Sequence, residues 1–318
     1  MGKKILITGG RGFIGSHLAN RLDKDGHEVI VLDNLSHQSR VPLRPKIKFR
    51  YGDVRYKDDI DPLVKWCDVV YHLAAQIHVD KSITNPQETI DTNILGTMNI
   101  LEAVKKYDKE MVFASTSEIY GTAQTGAMSE DHPLDAQSPY GASKLSADRL
   151  CKAYFTTYGT KVKILRNFNT FGPGQADGGE GSSYGAVIGI FTRKALESKP
   201  MPIFGSGEQA RDYMYIDDAI NAYLLVAEKG EYGEEYNAGT GVPITINSLV
   251  DFIEHNVLPN SGHIFVDARP GEVGMLCADA TKLRALGWQP EKVTFEDKLM
   301  RFINSYKKSL KQGYGKNT

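Results

Sequence analysis

Cysteine is scarce. Cys67, Cys151 and Cys277 are the only 3 in 318 residues, too few and too widely spaced for a disulfide framework or a zinc cluster. They predict reduced thiols in a cytoplasmic protein and no metal centre. An excess of either charge is also missing. The 38 basic residues face 39 acidic ones, for a net charge of -1, which argues against nucleic acid or an anionic membrane as the main partner. No stretch approaches the roughly 18 uninterrupted apolar residues of a membrane span. Met1–Ile7 reads as a short strand running into glycines and not as a signal peptide. Internal repeats and low-complexity segments are absent too.

What the chain does have is alternation. Lys4–Thr8, Glu28–Asp33, Val69–Leu73, Met111–Ser115 and Lys161–Arg166 are short apolar, β-branched runs of the kind buried on both faces of a parallel sheet. Phe13–Lys24, Lys57–Trp66, Pro86–Tyr107 and Tyr140–Tyr158 carry helical spacing between them. This order predicts βαβ units and an α/β fold, a doubly wound, Rossmann-like parallel sheet. Residues 1–171 are expected to form the dinucleotide-binding domain, with strand and helix returns from the C-terminal half. Residues 172–318 are expected to form mainly a smaller mixed lobe for substrate. There, Pro202–Phe204, Glu235–Ala238 and Ile264–Ala268 read as isolated strands, and Leu249–Asn256 and Ala280–Leu286 as helices. Gly172–Gly185 is rich in Gly, Ser and acidic residues and reads as a loop.

Gly9, Gly12 and Gly15 lie where the first strand turns into the first helix. Glycines at such a turn let backbone N–H groups approach a pyrophosphate at the positive helix end. The spacing differs by one residue from the usual dinucleotide fingerprint. Asp33 ends the next strand at about the expected distance, roughly 20 residues on, where a carboxylate accepts from the adenosine ribose hydroxyls and repels a 2′-phosphate. Asn34 follows it, not arginine, so NAD is expected over NADP. Asp53 either faces the adenine or caps a turn.

Tyr140 and Lys144 stand at i and i+4, on one helix face. With 16 tyrosines in the chain, chance alone can supply such a pair, so its context must carry the argument. An ammonium beside a phenol lowers the phenol pKa from about 10 towards neutrality, which makes tyrosine a usable base.

Several ordered segments now show a resemblance. They are Thr8–Gly15, Asp33-Asn34, His72-Leu73-Ala74-Ala75, Thr92-Asn93 with Gly96-Thr97, Ser115–Gly121, Tyr140–Lys144, Phe168-Asn169, Arg211-Asp212-Tyr213 and Arg269-Pro270-Gly271-Glu272. Together they resemble the extended short-chain dehydrogenase/reductase family, in its branch of NAD-dependent nucleotide-sugar epimerases and dehydratases. The likeness runs through nearly the whole chain. It implies that Thr116 binds the sugar O4, that Tyr140 takes the O4 proton during oxidation at C4, and that Lys144 holds the nicotinamide ribose and tunes Tyr140. It implies NAD contacts from Phe13, Ile14, Val54, Leu73, Ala74, Ala75 and Asn93 beside the residues above. For a nucleotide diphosphate-sugar substrate it implies Asn169, Arg211 and Arg269 at the diphosphate, Glu272 at the nucleotide, and His78 and Ser117 near the sugar. A homodimer formed through Pro86–Tyr107 and Tyr140–Tyr158 is also implied.

Glu118 separates the branches. Epimerases usually have Thr or another small residue there, because the 4-ketone need only rotate and be reduced from its other face. A dehydratase must remove the acidic C5 proton and expel the C6 hydroxyl, which calls for a carboxylate near the sugar. The dTDP-glucose dehydratases show Asp-Glu where this chain has Ser117-Glu118. GDP-mannose dehydratases and UDP-glucuronate decarboxylases resemble the Thr-Ser-Glu found here. The preferred expectation is a 4,6-dehydratase-type enzyme. A 4-epimerase is the first alternative, a decarboxylase the second, and a silent NAD-binding scaffold the non-enzymatic one.

Overall fold

The apolar runs pair as the alternation requires. A computed structural model describes residues 2–124, 126–175, 187–257, 262–268 and 273–311. In chain order, the first half runs β1 (Lys4–Thr8), α1 (Phe13–Lys24), β2 (Glu28–Asp33), β3 (Lys48–Tyr51), α2 (Lys57–Trp66), β4 (Val69–His72), α3 (Val79–Thr84), α4 (Pro86–Ile90), a π-helical turn Asp91–Leu95, α5 (Gly96–Lys106), β5 (Glu110–Thr116), a 3-10 turn Ser117–Ile119, α6 (Pro139–Tyr158) and β6 (Val162–Asn167). The second half runs β7 (Asn169–Phe171), α7 (Val187–Leu196), β8 (Met201–Phe204), β9 (Ala210–Tyr215), α8 (Ile216–Lys229), β10 (Glu235–Ala238), β11 (Pro243–Thr245), α9 (Ile246–Asn256), β12 (His263–Val266), β13 (Met275–Leu276), α10 (Thr281–Ala285) and α11 (Phe295–Lys311).

Seven strands form one sheet in the order β10-β6-β5-β4-β1-β2-β3, every pair parallel. Alternate side chains feed two cores. Ile5, Ile7, Val112 and Leu165 join Leu18 of α1 and Tyr223 of α8 on one face. Leu6, Phe113 and Ile164 join Val64 of α2, Ile100 of α5 and Ala147 of α6 on the other. The sheet is therefore doubly wound. Its order reverses between β1 and β4, which opens a crevice at the carboxyl ends of the strands.

Three features depart from the sequence reading. Glu235–Ala238, read as an isolated strand, is the seventh strand of the main sheet and pairs with β6. Lys48–Tyr51, which has no clear strand pattern, forms the opposite edge with every residue exposed. Pro86–Tyr107 is not one helix, because the π-helical turn Asp91–Leu95 interrupts it. Such single turns concentrate at functional sites, and this one carries Asn93. The smaller mixed lobe contains a four-stranded sheet built on β9 and a two-stranded β8–β12 sheet. Among the described residues no helix is long and apolar enough to cross a membrane.

Candidate active site

A cleft of about 530 Å³ opens at the carboxyl ends of the parallel strands. Gly9, Gly12, Phe13, Ile14, Gly15, Asp33, Asn34, Asp53, Val54, Leu73, Ala74 and Ala75 line one end of it. Thr116, Ser117, Glu118, Tyr140, Lys144 and Asn169 line the other, and His78 lies along the wall. Most of the residues named from sequence therefore converge on one cavity.

The glycine turn is built for close approach. Gly9 holds φ +70, and a Cβ there would sit 2.7 Å from the Ala74 amide nitrogen. A Cβ on Gly15 would lie 2.2 Å from the Gly9 carbonyl oxygen. Gly12 caps α1 in extended conformation, and no side chain caps the helix. The first-turn amides thus stand beside the cleft with the positive end of the helix dipole behind them. Asp33 is fixed by the Arg11 and Leu35 N–H groups at 2.9 and 2.7 Å. Burial pushes its carboxyl up, against those two bonds. Asp53 is already engaged: Arg55 Nη2 donates to it at 2.7 Å and Asn34 Nδ2 at 2.9 Å. This uncapped helix end and its preset aspartate fit NAD.

At the other end, Ser138 caps α6 by accepting from the Gly141 N–H at 3.0 Å, and Pro139 opens the helix. This sets Tyr140 and Lys144 into the cleft. Tyr140 and Thr116 face the same part of the cleft, near enough for the Thr116 hydroxyl to act on the phenol. Thr116 Oγ1 also accepts from the Glu118 N–H at 3.3 Å, so Thr116, Glu118 and Tyr140 form one cluster.

The electrostatics correct one expectation. Tyr140 lies above its ordinary pKa, not below it, because burial dominates and the Glu118 charge adds to it. Lys144 does not offset this. Its Nζ donates to the Ala114 carbonyl at 2.6 Å and stands 4.3 Å from the centre of the Phe113 ring. Burial draws Lys144 itself down to about 8. Glu118 is also raised by burial, with the Arg211 charge opposing. Without ligand, the proton on Tyr140 is therefore held firmly, and Glu118 is a carboxyl poised to hold or release one.

Two expected ligand residues stand behind the wall. Asn93 is 1% exposed. Its amide accepts from the Gln76 N–H at 2.8 Å and donates to the Gln76 carbonyl at 3.0 Å and to Ser143 Oγ at 2.9 Å. That uses both N–H groups and one lone pair of the oxygen, ties the β4 loop to α6 and keeps the side chain out of the cleft lining. Arg211 is 5% exposed, and its Nη1 donates to the Ala210 and Gly274 carbonyls. Its charge is felt at Glu118, but its side chain does not line the cleft. Arg269 and Glu272 lie outside the described residues, as do residues 176–185 of the predicted Gly-rich loop.

The cleft also holds residues that no motif marked. His37 pairs with His78 ring nitrogen to ring nitrogen, the ring centroids 4.2 Å apart, and burial lowers both imidazoles. Asn167 donates to the Tyr223 hydroxyl at 2.5 Å, and both line the cavity. Tyr223 comes from α8, far along the chain, and carries no local signal. His37 follows Asp33 in a polar loop, which was a signal of position but not of contact.

Known proteins fall in line with this geometry. The sequence profile of the NAD dependent epimerase/dehydratase family matches residues 5–239. The chain belongs to that family. It is accordingly an NAD-dependent enzyme of the nucleotide-sugar epimerase and dehydratase type, with the extended short-chain dehydrogenase/reductase fold. A putative UDP-glucose 4-epimerase of Methanocaldococcus jannaschii is 39% identical over 304 residues, covering 94% of this chain and 97% of that protein. The crystal structure of Thermotoga maritima UDP-glucose 4-epimerase with UDP-glucose superposes with a TM-score of 0.91 at 34% identity, covering 96% of this chain and 99% of that one. The dTDP-glucose 4,6-dehydratase of Streptomyces venezuelae, solved with NAD, gives 0.90 at 32% identity and covers 98% and 99%. Similarity is thus shared almost evenly between an isomerase and a lyase of one family.

Proposed function

We propose that the chain is a nucleotide-sugar 4,6-dehydratase that works through a transient 4-keto sugar. The observation that carries this reading is Glu118, a half-buried carboxyl in the cleft wall whose pKa is raised by burial, beside Thr116 and Tyr140. The Gly9–Gly15 turn, Asp33 and Lys144 would hold NAD, which when bound supplies the hydride acceptor and donor.

The side chains account for the proton movements. Thr116 orients the sugar O4 and Tyr140 removes its proton as C4 is oxidised. Because burial holds the Tyr140 proton, positive charge in the cleft, such as an oxidised nicotinamide would bring, would favour its release. Glu118 then takes the C5 proton, made acidic by the neighbouring ketone. The same raised carboxyl returns a proton to the C6 hydroxyl as it leaves as water and, reprotonated from solvent, gives a proton to C5 when hydride returns to C6. One group can serve these steps because its pKa lies nearer to neutrality than that of an ordinary carboxylate. Ser117 is buried at 2% exposure and brings no second acid.

That missing second acid, with the named likeness to UDP-glucose 4-epimerases, supports 4-epimerisation as the second reading. Incubation with UDP-, dTDP- and GDP-hexoses in deuterated water separates the two. A dehydratase yields a 4-keto-6-deoxy sugar with deuterium at C5. A C4 epimer without C5 exchange overturns the first reading, and carbon dioxide released from UDP-glucuronate points to a decarboxylase. We also infer a homodimer. Ile90 and Leu95 within Pro86–Tyr107 and Tyr158 at the end of α6 are exposed apolar side chains on the segments expected to pair. Sedimentation at the mass of a single chain would contradict it.

A further inference from the structure

Behind the cleft, on the sheet face covered by α2, α5 and α6, lies a buried ion pair that the steps above do not use. Asp148 stands one turn beyond Lys144 and two beyond Tyr140, so the three share one face of α6. Asp148 and Arg166 are both 0% exposed. Arg166 Nε and Nη2 each donate to the carboxylate at 3.1 Å. Ser115 Oγ donates to the same group at 2.7 Å. Ser115 and Arg166 are register partners on β5 and β6, and Thr116 is the next residue of β5. One carboxylate thus joins the helix that carries Tyr140 and Lys144 to the strand end that carries Thr116.

The charges around it come from every element packed there. On α6, Arg149 also bonds Asp148, and the Cys151 thiol is held protonated by burial, so it carries no charge towards Lys144. From β10, Glu235 lies 3.5 Å from both Arg166 and Arg149. From β4, His72 is pulled down to about 3 by burial and the Lys144 charge, so it is neutral. Beyond β5, Arg166 Nη1 donates to the Tyr120 hydroxyl and the Glu130 carbonyl. At neutral pH, Asp148 is the anion on this face that raises Lys144 against the pull of burial.

We propose that Asp148 is a positioning residue for the tyrosine–lysine pair: it keeps the Lys144 ammonium charged within its desolvated site and locks the Ser115–Thr116 strand end against α6. The inference rests on the reading that Tyr140 and Lys144 serve the oxidation at C4.

The test is made on the full chain labelled with 13C-lysine, with the Lys144 signal assigned by loss in Lys144→Met and its titration followed by NMR. Asp148→Asn should bring the Lys144 midpoint down by about one pH unit, as removal of a nearby opposite charge does. Ser115→Ala keeps the charge and should leave the midpoint in place. Each holoenzyme is then mixed with UDP-glucose, dTDP-glucose or GDP-mannose, and reduction of bound NAD is followed across pH. In Asp148→Asn the alkaline limb should move to lower pH with the NMR midpoint. In Ser115→Ala the rate should fall several-fold with the limb unmoved. An unchanged midpoint in Asp148→Asn, or a wild-type rate in Ser115→Ala, overturns the proposal. If Asp148→Asn does not fold, Ser115→Ala alone decides. Tyr140→Phe keeps the two questions apart. NAD reduction persisting in that variant refutes the C4 reading, whereas the NMR midpoint, taken without substrate, still judges Asp148.

Discussion

Replacing Glu118 with Gln should weaken the enzyme and strengthen the protein. Burial raises this carboxyl above its ordinary value, so the folded chain keeps the proton to higher pH than the unfolded chain does. Between the two pKa values the folded state binds more protons, and stability falls as pH rises through that window. Above the folded pKa the loss is complete and amounts to about 1.4 kcal/mol for every pH unit between the unfolded and folded values. Gln carries no charge to desolvate, and Arg211 retains its acceptors on Ala210 and Gly274. Glu118→Gln should therefore match wild type in acid and exceed it at neutral pH, in urea unfolding measured at a series of pH values. In catalysis, loss of a general acid–base group costs about 10²–10⁴-fold, or about 3–5 kcal/mol of barrier. That loss should fall on elimination, while reduction of bound NAD by added nucleotide-hexose persists. Equal stability at every pH would show that the carboxyl is not desolvated. Normal formation of the 4-keto-6-deoxy product would remove Glu118 from the chemistry.

Other substitutions test the frame of the site. Gly15→Ala puts a methyl carbon 2.2 Å from the Gly9 carbonyl oxygen, so the turn must open. The variant should purify without dinucleotide and show no rise in Tm with added NAD, and a wild-type rise would refute the cradle. Asn93→Ala removes the three hydrogen bonds that tie Gln76 to Ser143. It should cost about 1–3 kcal/mol in urea unfolding and lower kcat. An unchanged kcat would show that α6 is held without this tie. Asp218→Ala leaves Lys298 buried at 5% exposure without the carboxylate 2.8 Å away. It should destabilise by about 3–5 kcal/mol, and a loss below about 1 kcal/mol would mark the pair as solvated.

The parts of the site that were legible in the sequence are those that local chemistry dictates. A strand, a glycine turn and an uncapped helix follow one another within Lys4–Lys24, and Asp33 ends the next strand. Tyr140 and Lys144 share a face because helical spacing requires it. What escaped depends on distant neighbours. Helical spacing alone suggested that Lys144 would lower Tyr140. The opposite holds because Ala114 captures the ammonium while burial and Glu118 act on the phenol. Asn93 and Arg211 lie in recognisable motifs, yet their orientation is set by Gln76, Ser143 and Gly274, which no motif links to them. Tyr223 reaches the cleft from α8 only because β6 and β9 bring that helix across the sheet. The π-helical turn has no composition that distinguishes it from the helix around it.

Adding β10 to the edge of the main sheet has a consequence for biosynthesis. As the chain emerges from the ribosome, the six strands β1–β6 are available well before β10. At about 5–20 residues per second, the intervening stretch takes several seconds to make. During that interval β6, buried along its whole length in the finished protein, presents an unpaired edge that can recruit another nascent strand. The vulnerable moment in this protein's life is thus the wait for Glu235–Ala238. Chains truncated between β6 and β10 are the ones to expect on holdase chaperones.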